Sequence, residues 1–147
     1  MKANELMIGD WVRIDEPDKY AGATGQIQSL MYHREDDAAY FNVFIQGRFG
    51  YVSRDVCSDD IRPITLTAEI LEKNGFEKQW QDNYEYFDDD ENLNMTFHPK
   101  SSNYTNGAYD YINIEKGCLT INEMPIEFVH ELQRVLRILG TNKDIVL

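Results

Sequence analysis

The 147-residue sequence predicts an α+β chain in two parts: a small β-barrel over residues 1–64, then an antiparallel sheet packed with a long C-terminal helix over residues 65–147. Three observations carry this expectation. Residues 1–64 hold short β-branched and aromatic runs separated by polar, glycine-containing turns and closed by Pro63, the punctuation of a small barrel. Five further short runs, each bounded by Asn, Asp, Gly or Pro, lie between Phe76 and Ile121 and read as a meander. Val129, Leu132, Val135, Leu136 and Leu139 then recur at helical spacing, which puts an apolar stripe on one helix face.

In the first part, strands are expected at 10–14, 25–32, 40–45, 50–53 and 61–64. The run Tyr40-Phe41-Asn42-Val43-Phe44-Ile45 alternates imperfectly, and its β-branched and aromatic content decides for strand over buried helix. Asp15-Glu16-Pro17-Asp18-Lys19-Tyr20 has the chemistry of a long first loop, with proline fixing φ and the acids solvated. His33-Arg34-Glu35-Asp36-Asp37 is a polar connection between the second and third strands.

Three segments of this part carry a resemblance: Gly9-Asp10-Trp11-Val12 opening the first strand, Gly22-Ala23-Thr24-Gly25 before the second, and Asp59-Asp60-Ile61-Arg62-Pro63-Ile64 at the close. This spacing resembles the SH3-like barrels of the KOW type. The resemblance implies a binding scaffold whose ligand surface is built from aromatics at the loop ends, although such a fold does not by itself fix a function. The candidate binding residues are Tyr20, Tyr32, Arg48, Phe49, Tyr51 and Arg54. Tyr20 and Tyr51, close to basic residues, are the ones expected to make exposed contacts. Trp11, in the apolar opening strand, is expected to fill the core.

The second part begins after Pro63, where strand chemistry gives way to Leu66-Thr67-Ala68-Glu69-Ile70-Leu71-Glu72-Lys73-Asn74-Gly75. Thr67 suits an N-cap, Glu69 the first turn, and Asn74-Gly75 a left-handed stop. Strands are expected at 76–80, 84–87, 94–97, 109–114 and 119–121. A helix should follow over 125–139, with Pro125 at its first position and Gly140 just past its end. Residues 145–147 would form a last edge strand.

With 26 acidic against 14 basic residues, the chain has a net charge of −12. Residues 1–64 carry 7 basic and 11 acidic side chains, and residues 65–147 carry 7 and 15. Nucleic acid is held by Lys and Arg replacing counterions at phosphates, so this balance argues against direct nucleic-acid binding, and against an anionic membrane surface. No apolar run approaches the roughly 18 residues that a membrane helix needs, and a cytoplasmic location is expected. Cys57 and Cys118 lie apart, without the spacing of a metal or redox motif, and read as reduced thiols.

No motif for chemistry emerges. His130-Glu131-Leu132-Gln133-Arg134 places arginine where a zinc helix needs its second histidine; His130, Glu131 and Arg134 are expected on the solvated edge of the helix, with Glu131 pairing Arg134. Counted from Asp88, the acidic run has Leu93 and Pro99 where a calcium loop needs Gly and Glu, and reads as a hydrated turn. His33, His98 and His130 fall in separate segments, and there is no nucleophile elbow or phosphate loop. Neither catalytic residues nor a metal or other cofactor is expected.

Three segments carry a second resemblance, one that covers nearly the whole chain: Asp60-Ile61-Arg62-Pro63-Ile64, the stretch from Leu66 to Phe76 containing Lys73-Asn74-Gly75-Phe76, and Phe128-Val129-His130-Glu131-Leu132-Gln133. In these the chain resembles a family of small uncharacterised proteins met in gut bacteria and their prophages or mobile elements. The resemblance implies that setting and no activity. The functional expectation is a non-catalytic binding or adaptor protein that contacts another protein through barrel-loop aromatics and arginines. The alternative is an acidic mimic of nucleic acid that occupies a nucleic-acid-binding protein, motivated by the charge of the second part and its Asp88-Asp89-Asp90-Glu91 run.

Overall fold

The computed structural model describes residues 6–16, 19–33, 38–47, 50–100, 109–141 and 143–147. The chain divides into two compact units, Met1–Ile64 and Thr65–Leu147. Among the described residues it is mostly β, with one five-stranded antiparallel sheet in each unit and a helix near the C-terminal end.

In the first unit, β1 (Trp11–Ile14), β2 (Thr24–His33), β3 (Ala38–Gly47), β4 (Gly50–Cys57) and β5 (Ile61–Arg62) assemble in the order β4-β3-β2-β1-β5. The sheet curls into a half-barrel. Val12, Ile14, Ile27, Phe41, Val43, Ile45, Val56 and Ile61 are buried inside the curl, on positions that alternate along each strand as the period of two requires. β4 runs four residues past its expected end, because its ladder with β3 continues to Tyr40 opposite Cys57. Arg54 and Asp55 do not stop it, since β4 lies at the end of the strand order and a strand with a solvated face accepts polar side chains.

Two details explain the glycine motifs. The Asp10 carboxylate is fully buried and accepts the Met7 N–H at 2.8 Å, so the Gly-Asp pair locks the turn that feeds β1. A Cβ on Gly25 would lie 2.6 Å from Cγ1 of Val43 and 2.7 Å from the Phe44 carbonyl; only glycine lets β2 approach β3 so closely. Trp11 departs from expectation. It is half-buried and alternates with the buried Val12 and Ile14, so it faces away from the core.

The second unit is a meander of β6 (Glu77–Lys78), β7 (Tyr84–Asp88), β8 (Leu93–His98), β9 (Tyr111–Lys116) and β10 (Leu119–Pro125), ordered β10-β9-β8-β7-β6. One face is apolar: Leu93, Met95 and Phe97 on β8 and Ile112 and Ile114 on β9 are buried, while Asn94, Thr96, His98, Tyr111 and Asn113 take the other face. Helices α1 (Ala68–Lys73) and α2 (Val129–Ile138) supply Leu71, Val129, Leu132 and Leu136 to the core. Thr67 caps α1 by accepting the Ile70 N–H at 3.3 Å, and Gly75 takes the left-handed φ of 82° that ends it.

Four expectations are corrected here. Pro125 ends β10 opposite Tyr111 rather than opening the helix. The chain stays extended after it because Leu66 N–H bonds the Glu127 carbonyl at 2.8 Å and Thr65 bridges Phe128. Residues 145–147 form no strand: the Asn74 side chain takes the place of a strand partner, accepting the Val146 N–H at 2.8 Å and donating to its carbonyl at 2.7 Å. His130 is buried at 5% exposure, and the Glu131 carboxylate turns back to accept the Glu127 and Phe128 N–H groups at 2.8 and 3.0 Å, capping the helix start. The expected strand at 76–80 shrinks to Glu77–Lys78, and Trp80 enters a short 3-10 turn over Trp80–Asp82 with 87% of its surface exposed.

Candidate binding surface of the half-barrel

The loop from β1 to β2 folds back through a turn in which the Gly22 N–H bonds the Ile14 carbonyl at 2.8 Å and Gly22 takes a φ of 80°. This places Tyr20 against the apolar core. The Lys19 ammonium lies 4.9 Å and the Arg54 guanidinium carbon 5.2 Å from the centre of its ring, within cation–π range. Arg54 also pairs with Glu16. Tyr20 is half-buried, a correction to its expected role as an exposed contact: its ring is engaged by two cations and packs against the core.

Tyr51 lies elsewhere. It is 65% exposed and stacks on Phe44 of β3, with ring centres 4.8 Å apart and planes within 12°. Alternation along β4 puts Tyr51, Ser53 and Asp55 on one face and Arg54 with the buried Val56 on the other. The outer face continues as a polar ladder: the Ser53 hydroxyl donates to Oδ1 of Asn42 at 2.7 Å and lies 3.3 Å from Oε1 of Gln28, and Asn42 donates to Asp55 at 2.7 Å. Tyr20 and Arg54 therefore share one cluster, and Tyr51 belongs to another.

Tyr32 stands apart from both, near the end of the β2–β3 hairpin opposite Ala39, and is 60% exposed. A register shift between Ile27 and Ser29 interrupts β2. Beyond it Leu30, Met31 and Tyr32 follow one another with 53%, 36% and 60% of their surfaces exposed. Sequence reasoning singled out Tyr32 and missed Leu30, Met31, Phe44 and Val52. The one available signal was the run Leu30-Met31-Tyr32 itself, which breaks the alternation expected of a half-buried strand. Arg48 and Phe49 lie outside the described residues.

In the second unit, His98 stacks on Tyr111 at 4.5 Å and is hydrogen-bonded at both ring nitrogens, Nδ1 to Asn83 at 3.1 Å and Nε2 to Asn113 at 3.2 Å. Burial pushes its pKa below the ordinary histidine value, against a smaller opposing pull from Glu85. Asp88 accepts the Glu91 N–H at 3.1 Å and the Tyr86 hydroxyl at 3.0 Å; the backbone bond, followed by the hydroxyl, holds its carboxyl below the usual carboxylate range. The acidic run is thus a hydrogen-bonded turn. Among the described residues no group of three or more His, Cys, Asp or Glu side chains is placed to hold a metal ion, and no helix is long and apolar enough to cross a membrane.

An apolar groove of about 240 Å³ runs between β10 and α2, lined by Leu119, Ile121, Met124, Val135, Ile138 and Leu139 with Lys116. This is smaller than the pockets that hold drug-sized ligands. No family model, no curated protein and no solved structure matches this chain.

Proposed function

We propose that the chain is a non-catalytic binding protein that occupies the surface of another protein through the first unit. The observation that carries this reading is the set of exposed apolar side chains on the half-barrel strands: Leu30, Met31 and Tyr32 on β2, and Tyr51 and Val52 on β4. Leu30, Met31 and Tyr32 follow one another on β2, and Tyr51 lies apart from them, stacked on Phe44; exposed apolar side chains grouped in this way mark a contact site, and tyrosine among them supplies contact area with little entropy to lose. The strand order β4-β3-β2-β1-β5, in which the last strand returns beside the first, supports an SH3-like barrel as the scaffold. The proposed setting is the cytoplasm of a bacterium carrying a prophage or mobile element.

The test is capture from host lysate with the full chain immobilised, after nuclease treatment, in parallel with a Leu30→Ser, Tyr32→Ser variant and a Tyr51→Ser variant. A protein held by the wild type and lost with either variant supports the reading. A partner held equally by all three overturns it.

A second reading rests on a separate observation. Glu69, Glu72, Glu77, Glu85, Asp89, Asp90, Glu115 and Glu127 of the second unit are all exposed, a display of negative charge that would imitate a phosphate backbone toward a nucleic-acid-binding protein. Under that reading the captured protein is released steeply by salt and the first-unit variants retain it.

A further inference from the structure

The hydrogen bonds around His98 can be assigned a direction from one fixed donor. The Glu123 backbone N–H can only donate, and it donates to Oδ1 of Asn113 at 2.8 Å. The Asn113 amide nitrogen therefore faces Nε2 of His98, 3.2 Å away. That amide nitrogen is a donor, so Nε2 is the unprotonated acceptor, and the imidazole proton sits on Nδ1, donating to Oδ1 of Asn83 at 3.1 Å. His98 is thus held as one neutral tautomer by a chain of bonds that crosses from the segment before β7, through β8 and β9, to β10.

The far end of that chain is a strained segment. The β9–β10 register shifts between Ile121 and Met124, and Glu123 inside the shift takes a left-handed φ of 52°, a conformation that non-glycine residues hold only when their surroundings impose it. We propose that His98 is a proton-operated catch on this bulge. Protonation at Nε2 sets two donors face to face across 3.2 Å. Asn113 then relieves the clash only by turning its amide over, which withdraws Oδ1 from the Glu123 N–H and frees the bulge. Ile121 and Met124, at the two sides of the bulge, line the groove shared with α2, so the released segment reshapes that groove.

The titratable groups on the packed elements are Glu85 on β7, Tyr111 on β9 and Glu123 on β10, with Asp82 beside Asn83 already paired to Lys78 at 2.7 Å. Glu85 favours the protonated ring, and burial opposes it more strongly.

The experiment is a pH titration of the isotopically labelled full chain by NMR, following the His98 ring nitrogens and the exchange of the Glu123 amide corrected for its intrinsic pH dependence. The expected result is an Nδ1–H tautomer at pH 7.5, titration below 6.5, and an about tenfold loss of Glu123 protection as His98 becomes charged. Asn113→Asp provides the second arm. An acceptor now faces both His98 and Glu123, so the His98 pKa rises and Glu123 protection no longer follows it. Glu123 protection that ignores the His98 titration, an Nε2–H tautomer at pH 7.5, or unfolding of the chain before His98 titrates would each overturn the proposal.

Discussion

The two units bury their apolar residues by different means, and the difference shows in what they leave exposed. In the first, the sheet curls on itself, so that Val12, Phe41, Val43 and Val56 from three separate strands meet with no α-helix among the described residues. In the second, the buried face of the meander shares its core with α1, α2 and the tail residue Ile145, while the opposite face is organised by polar side chains around His98. A curled sheet has little inner surface for its length. Leu30, Met31 and Tyr32 of β2 keep apolar side chains in water. The sheet of the second unit exposes polar residues instead, with Phe87 at 65% exposure the main exception on its strands besides Leu119 on β10. On the strands, exposed apolar side chains are more numerous in the first unit, while in the second Trp80, Tyr109, Ile138 and Val146 are exposed off the strands.

This contrast can be broken first in the cores. Phe41→Ala, at 1% exposure, removes the largest side chain inside the curl and is expected to cost about 3–5 kcal/mol. Leu132→Ala on α2, also at 1%, should cost about 2–5 kcal/mol. Chemical denaturation followed by strand-specific NMR signals would show the first loss in residues 6–64 and the second in residues 65–147; a uniform loss from either change would contradict separate cores. Gly25→Ala should rank with them, because the added Cβ meets the Phe44 backbone at 2.7 Å and β2 must move to admit it.

A medium effect comes from helix ends. Thr67→Ala removes the cap of α1 and is expected to cost about 1 kcal/mol, read as a lower denaturation midpoint of the second unit. Smaller still is the pH effect of His98. Its folded pKa lies below the 6.5 of the free side chain because of burial, so the unfolded chain takes up the proton first. Its contribution to stability is complete above pH 6.5 and is lost as the pH falls from there through the folded pKa. The midpoint difference between wild type and His98→Gln should therefore narrow on going from pH 7.5 to pH 5. A difference that stays constant would remove His98 from the pH response. At the bottom of the scale, Tyr32→Ser should change stability by less than about 0.5 kcal/mol, since the ring is exposed, and act on binding alone.

Much of the architecture was legible because it rests on local rules. Thr67 and Asn74-Gly75 bounded α1, and the recurrence of Val129, Leu132 and Leu136 located α2. What failed depended on distant partners. Pro125 looks like a helix opener until residues 65 and 66 pair with 127 and 128, and 145–147 look like a strand until Asn74 supplies the hydrogen bonds from a side chain. The candidate site was harder to read for a physical reason. Residues 51 and 54 differ by an odd number, so on a strand they face opposite sides, and the sequence gives no hint that Arg54 turns inward to Tyr20 and Glu16. The bulge in β2 that leaves Leu30, Met31 and Tyr32 exposed has no marker in the chain beyond the run itself.

The proposal that the half-barrel carries the protein-contacting surface is tested by hydrogen exchange of the full chain with and without the protein it captures. Slowed exchange is expected at 30–33 of β2 and 50–53 of β4, with the strands of the second unit unchanged. Protection confined to residues 65–147 would contradict it and move the contact surface to the acidic unit.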